Sequence, residues 1–150
     1  MILIDINALV LLLIGAIDPR LIKNHKRTSI YEEQDFYDLL AQIGSLDKLI
    51  VLPNIWTEVD NLLNGFSGQY KDKYVEEITR IIKSTTEKFL QSAKATESIG
   101  FFDLGLTDSL LLEHAKECKL LITLYSKLSD YAVSAGIQVY DMVKSRNQRL

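Results

Sequence analysis

Short apolar runs alternate with helical patterns along this chain, and that alternation constrains the fold more than any other feature. Four runs are predicted as buried strands, at residues 1–4, 49–52, 120–122 and 137–140. Continuous apolar runs of this length are typical of parallel strands that are covered on both faces. Strands that alternate with helices indicate a parallel sheet with right-handed crossovers. We therefore expect an α/β fold, a three-layer α/β/α sandwich with a central, mostly parallel sheet.

Capping residues and apolar spacing predict where the helices begin and end. Ser29 and Glu32 have the spacing of a capping box, which predicts a helix from there to Gly44. Apolar residues at helical spacing predict one long helix over residues 70–92. Thr107 is a favourable N-cap, so we expect another helix to begin there. The remaining helices are predicted over residues 8–17, after residues 53–54, and over 127–136.

Size and composition favour one intracellular domain. The 150 residues suit a single domain over 1–150, and the polar end, 144–150, is predicted to be a flexible tail. The one cysteine, Cys118, cannot form an internal disulfide, which argues against a secreted disulfide scaffold, and no Cys/His cluster has zinc-site spacing. The apolar N-terminal run lacks a basic flank and contains Asp5 and Asn7, which argues against a signal peptide or a membrane span. We expect a cytoplasmic protein with no membrane partner.

Three acidic residues lie near the ends of the predicted strands. Asp5 ends the first strand, Glu58 lies in the helix after the second, and Asp108 lies in the helix before the third. Ligands of open α/β sheets bind outside the carboxyl ends of the strands, where the strand order reverses. Three carboxylates that converge there would repel one another unless they shared a cation, and oxygen ligands favour Mg²⁺ or Mn²⁺. The formal net charge of -3 equals the charge of these three acids.

Four segments carry these acids and further polar residues in a fixed order along the chain: ILIDINAL, LPNIWTEVDNLL, LGLTDSLLLEHAKECKLLIT and TLYSKL. In order and spacing they resemble the four motifs of the PIN-domain ribonucleases, a family that includes the VapC-type toxins of bacterial toxin–antitoxin systems. The resemblance extends from residue 1 to about residue 141 and implies a PIN-like fold.

The resemblance also implies a role for particular side chains. Asp5, Glu58 and Asp108 match the catalytic, metal-binding acids of the family. At the position of a fourth acid this chain has Tyr125, a neutral phenol that is a poor ligand for Mg²⁺ but can hydrogen-bond a phosphate or stack on a base. The residues expected in supporting roles are Asn7, Thr107, Thr123 and Tyr125.

What the resemblance implies is a Mg²⁺- or Mn²⁺-dependent endoribonuclease, the toxin of a toxin–antitoxin pair or a related stress or defence nuclease. Family members commonly form homodimers, and toxin members are silenced by an antitoxin protein. A basic stretch before the second helix is interpreted either as a solvated loop or as a contact for RNA phosphates. Its cationic side chains are Arg20, Lys23, Lys26 and Arg27.

Other interpretations remain open at this stage. Asp5 and Asp108 could serve only as a helix cap and a complement to a helix dipole. The Tyr125 position favours a PIN-like protein that binds RNA or a protein partner without cleaving it. A phosphotransfer enzyme with Asp5 as its nucleophile, as in haloacid dehalogenase-like phosphatases, would need a second Asp where Asn7 stands. Acids considered as replacements for the missing fourth one are Glu97, Asp103, Asp130 and Asp141.

Overall fold

The computed structural model describes residues 1–149, which form an α/β fold around a five-stranded parallel sheet. The strands are β1 (Ile2–Ile4), β2 (Leu49–Val51), β3 (Thr86–Glu87), β4 (Leu120–Thr123) and β5 (Val139–Asp141). The helices are α1 (Ile6–Ile17), α2 (Glu33–Ile43), α3 (Pro53–Leu63), α4 (Gly68–Ser84), α5 (Ser92–Thr96), α6 (Phe101–Ala115), α7 (Ser126–Ser134) and α8 (Met142–Arg149). Short 3₁₀ turns cover Pro19–Asn24 and Leu46–Lys48. Among the described residues, no helix combines the length and apolar character that crossing a membrane requires.

The strand order of the sheet is β3-β2-β1-β4-β5, and every neighbouring pair is parallel. The chain adds β2 and β3 on one side of β1 and then crosses to the other side, where β4 pairs with β1 along Ile2↔Leu120 to Ile4↔Ile122. The strand order therefore reverses between β1 and β4. The prediction of an α/β fold with a parallel central sheet is confirmed, and the arrangement is compatible with a three-layer sandwich.

Helix α1 is the apolar centre of the fold. Nine of its twelve residues are buried, so it is covered on nearly every side. It approaches α2 so closely that a Cβ on Gly15 would lie 2.2 Å from the ring of Phe36. A glycine is needed at this contact because any side chain would displace the aromatic ring.

Two predictions about helix limits are wrong. The capping box at the start of α2 is made by Glu32 and Asp35, three residues beyond the predicted Ser29 pair. The long helix expected over residues 70–92 ends at Ser84, and Thr86–Glu87 then add a strand beside β2. The extra strand has no apolar run to signal it, because it is a short, half-exposed strand at the edge of the sheet.

The helix that carries Asp108 begins close to the predicted position. Helix α6 spans Phe101–Ala115 but is broken by a kink at Gly105, whose backbone has φ 77° and ψ -171°. That conformation is accessible to glycine and strained for other residues. Thr107 is the second residue after the kink, so it lies in the first turn of the segment that carries Asp108 and is not its N-cap.

The C-terminal residues expected as a flexible tail are helical in the structure, and their flexibility stays a prediction. Residues 144–149 form most of α8, and Asp141 caps this helix by accepting hydrogen bonds from the backbone N–H groups of Val143 (3.0 Å) and Lys144 (3.1 Å). Leu150 lies outside the described residues.

Candidate functional site

Asp5 occupies the point where the strand order reverses. It follows β1 and caps α1, with its Oδ1 atom accepting the backbone N–H of Ala8 at 2.9 Å. Its Oδ2 atom accepts the Thr123 hydroxyl and the backbone N–H of Leu124 (3.1 Å), both from the end of β4. Asp5 is only 3% exposed, and burial raises its pKa. The carboxylate is thus fixed by groups from helix α1 and from the end of β4.

Glu58 and Thr107 join two helices that are far apart in sequence. Glu58 lies on α3 beside the buried Val59, so it sits at the border between core and solvent. The Thr107 hydroxyl donates a hydrogen bond to Glu58 Oε1 at 2.9 Å. Thr107 therefore orients a neighbouring acid through its side chain, and its expected capping role is wrong.

Asp108 lies next to Thr107 on α6, and its environment disfavours negative charge. Burial, followed by the charges of Asp5 and Glu58, raises the pKa of Asp108 to about 6. Asp108 therefore lies within electrostatic range of both Asp5 and Glu58. Elements β1, α3 and α6 thus bring together the three acids that the sequence singled out.

These acids line one open cleft of about 360 Å³ at the carboxyl edge of β1 and β4, which we call the acidic cleft. Asn7 and Tyr125, two of the expected supporting residues, also line it, whereas Thr123 acts from behind through Asp5. The full lining is Asp5, Ile6, Asn7, Arg27, Glu58, Leu62, Asp108 and Tyr125.

The four cationic side chains of the basic stretch lie in different surroundings. Arg27 is its only member among the residues that line the acidic cleft. Arg20 pairs with Asp18 at 2.8 Å, and Lys23 pairs with Glu32 at 2.7 Å. Lys26 lines a separate hollow beside Phe66. Of the four cationic residues considered for RNA contact, the structure brings Arg27 to the acidic cleft, and RNA contact itself stays a prediction.

No described acid takes the place of the fourth carboxylate. Among the possible replacements, Asp141 caps α8, Asp103 accepts the Tyr131 hydroxyl, and Glu97 lies 3.8 Å from Lys94. None of them, nor the exposed Asp130, lines the acidic cleft. The fourth position is occupied by the ring of Tyr125.

Three further contributors were not identified from the sequence. Ile6 and Leu62 supply apolar lining. Ile6 directly follows Asp5, and Leu62 lies four residues after Glu58 on the same face of α3. These sequence positions could have indicated both residues. Leu124 contributes only its backbone N–H to Asp5, so its residue type carries no signal.

The donor set suits a cation that keeps part of its water shell. Within residues 1–149, no three His, Cys, Asp or Glu side chains are grouped so that all could hold one metal ion. Mg²⁺, however, commonly takes one or two carboxylates and completes its shell with water and phosphate oxygens. A carboxylate oxygen that already accepts one hydrogen bond keeps a further lone pair, and the second oxygen of Glu58 accepts none among the described residues. The acids of the cleft therefore fit a hydrated divalent cation.

No family model matches the chain, and neither a curated protein nor a solved structure does. The resemblance to PIN-domain ribonucleases therefore stays a prediction. The functional argument depends on the geometry and charge of the acidic cleft.

Proposed function

We propose that this protein is a metal-dependent ribonuclease of the PIN-domain type. The observation that carries the proposal is the convergence of Asp5, Glu58 and Asp108 on one cleft where the strand order reverses. These acids come from three different elements, and their mutual repulsion in a half-buried site destabilises the fold unless a cation compensates it. None of the three acids makes an ion pair within the described residues, so their charges do not stabilise the fold. A function that needs three negative charges explains the arrangement.

Asp5 and Asp108 would hold Mg²⁺ or Mn²⁺, with Glu58 contacting the ion directly or through water. When bound, such an ion supplies activation of a water molecule and neutralisation of charge on the phosphate. With the acids ionised, the three carboxylates and Arg27 together carry two negative charges, which one divalent cation balances.

The chain's own residues then position the acids. Thr123 and Leu124 hold one oxygen of Asp5, and Thr107 holds one oxygen of Glu58, so neither carboxylate has to be ordered when RNA enters. Asn7 is exposed at the cleft, where its amide can donate a hydrogen bond to a phosphate oxygen.

A phosphotransfer mechanism through Asp5 is less well supported. That chemistry requires a second acid as the partner of the nucleophile, and this acid is absent at position 7, where Asn stands. The residues of the cleft therefore favour cation binding by Asp5 over attack on a phosphate.

A toxin role, an antitoxin partner, a homodimer and a cytoplasmic location stay predictions of the family resemblance. The alternative function, RNA binding without cleavage, is favoured by one observation, the neutral Tyr125 at the fourth acidic position.

The test is cleavage of a fluorescent RNA by the purified protein in Mn²⁺ or Mg²⁺. We expect cleavage that stops in excess EDTA and in Asp108→Asn. The matched control is Glu113→Gln, which changes another acid of the same helix that pairs with Lys116 at 3.0 Å outside the cleft. Cleavage that persists in EDTA would contradict metal dependence. RNA binding with no divalent-ion binding by calorimetry would favour the non-catalytic alternative.

A further inference from the structure

One wall of the acidic cleft carries no acid but an aromatic ring. Tyr125 is 36% exposed and lines the cleft together with Asp5 and Asp108. Among the described residues, its hydroxyl makes no hydrogen bond and its ring stacks on no other aromatic side chain. A polar aromatic side chain without a protein partner beside three carboxylates is available to a ligand.

The position of Tyr125 is coupled to that of Asp5. Its backbone N–H donates to Thr123 Oγ1 at 2.9 Å, and the Thr123 hydroxyl in turn donates to Asp5. Two hydrogen bonds therefore connect the backbone of Tyr125 with a candidate metal ligand. The ring of Tyr125 therefore extends from a backbone that is anchored next to that ligand.

Arg27 supplies the positive charge of the same cleft. Its backbone N–H donates to His25 Nδ1 at 3.2 Å, and the next residue, Thr28, is fully buried with its hydroxyl donating to the Ile22 carbonyl at 2.6 Å. The guanidinium of Arg27 makes no ion pair within residues 1–149. The backbone of Arg27 is thus anchored, and its planar cation is available for a phosphate.

We propose that Tyr125 and Arg27 form a nucleotide-binding wall, in which Tyr125 stacks on one unpaired base and Arg27 binds a phosphate of the same strand. This inference rests on the proposed function, because it takes RNA as the ligand of the acidic cleft. Aromatic side chains stack on any base whose face is open. In a duplex both faces are covered by neighbouring base pairs, so the wall selects unpaired nucleotides.

Binding and cleavage are measured separately, so that this inference and the proposed function can fail independently. Binding of a fluorescent single-stranded RNA is followed by anisotropy in the Asp108→Asn background, which removes cleavage. We expect Tyr125→Leu to weaken binding about tenfold, as for loss of one base stack, and Tyr125→Phe to bind nearly as tightly as the parent. The matched control is Tyr70→Leu, since Tyr70 is 45% exposed but lies outside the cleft.

An abasic nucleotide moved along the RNA identifies the stacked base. At one position it should weaken binding of the parent about as much as Tyr125→Leu does, and it should have no further effect in that variant. Arg27→Gln should weaken binding of intact and abasic RNA alike and lower the dependence of affinity on salt concentration by about one phosphate contact.

Each outcome decides between the ideas. Equal affinities of the parent and Tyr125→Leu, or equal affinities for single-stranded and duplex RNA, would overturn the nucleotide-binding wall even if the protein cleaves RNA. Tyr125-dependent binding without metal-dependent cleavage would support the wall and contradict the nuclease. Absence of RNA binding would overturn both.

Discussion

The two ends of strands β1 and β4 each open into a cavity, and the two cavities differ in size and in charge. The acidic cleft at the carboxyl end has a volume of about 360 Å³ and contains three carboxylates. The cavity at the amino end is larger, about 540 Å³, and its charged side chains are Lys48 and Lys119, with no carboxylate in its lining. Cavity volume alone would therefore favour the amino end as a candidate site. Convergence of like charges favours the acidic cleft instead, because perturbed titratable groups cluster at functional sites.

The amino-end cavity has a structural explanation. Lys48 Nζ lies 3.6 Å from the place of a Cβ on Gly44, at the C-terminal end of α2. A cation at the end of a helix stabilises it by interacting with the helix dipole. Lys48 therefore stabilises the C-terminal end of α2, whereas the three acids at the opposite edge have no cationic partner among the described residues.

The largest expected difference between the two edges is in RNA cleavage. We expect Asp5→Asn to lower the cleavage rate about 100-fold or more, the scale of losing a group that stabilises charge in a transition state, while an Asn side chain still caps α1. The double variant Lys48→Gln, Lys119→Gln should stay within about twofold of the parent in a rate assay. A comparable loss in both variants would show that the comparison of the edges is wrong.

The next effect concerns how Asp5 is held. Thr123→Val removes the hydroxyl that donates to buried Asp5 and should lower the free energy of unfolding by about 2 kcal/mol, typical of a hydrogen bond to a charged group. Urea denaturation measures this change. Thr123→Ser keeps the hydroxyl and should lose clearly less stability. If the two variants lost the same free energy of unfolding, the hydroxyl of Thr123 would contribute no more to stability than its methyl group does.

The kink in α6 should have a somewhat smaller effect. Gly105→Ala places a Cβ on a backbone with φ 77°, where no atom lies within 4 Å of it, so the cost is conformational strain of about 1.5 kcal/mol. Thermal denaturation should show a lower Tm than for the parent. Gly65→Ala is the matched control because that glycine also has open space around it but no positive φ. Similar Tm values for the two variants would argue against strain at the kink.

The smallest effect is a gain in stability. In metal-free protein, the raised pKa of Asp108 contributes stability below its ordinary value of 3.8, and this is lost as pH rises through about 6. Asp108→Asn has no charge to lose, so it should be more stable than the parent by about 1 kcal/mol at pH 7.5 and nearly equal at pH 4. The full shift would correspond to about 3 kcal/mol, but partial exposure reduces it.

Urea denaturation at several pH values in EDTA tests this, and saturating Mg²⁺ should remove the advantage of Asn. A stability difference that does not change with pH would mean that neither burial nor the neighbouring acids raise the pKa of Asp108.

The sequence predicted the parallel α/β fold and the elements that carry the three acids, because buried strands and helical spacing are local patterns. It missed β3 and the short helical segment from Phe101 to the kink at Gly105. The first is a polar edge strand, and the second joins the Asp108 helix through a glycine conformation that helical spacing does not reveal.

The placement of the acids was predictable in outline but not in detail. The switch-point rule placed Asp5 at a ligand-binding edge, yet the order of the strands, which locates that edge between β1 and β4, is a long-range property. The bond from Thr107 to Glu58 and the position of Arg27 depend on how distant helices and turns pack, so residue type alone could not distinguish Arg27 from its basic neighbours.

The hydrogen bond between Thr123 and Asp5 connects residues 118 positions apart, and this separation has a consequence for how the protein is made. At about 5 to 20 residues per second, a ribosome needs roughly 6 to 24 seconds to add the residues between them. During that time the growing chain contains Asp5 but no β4 to fix its carboxylate. The acidic cleft can therefore form only after residue 123 has been added to the chain.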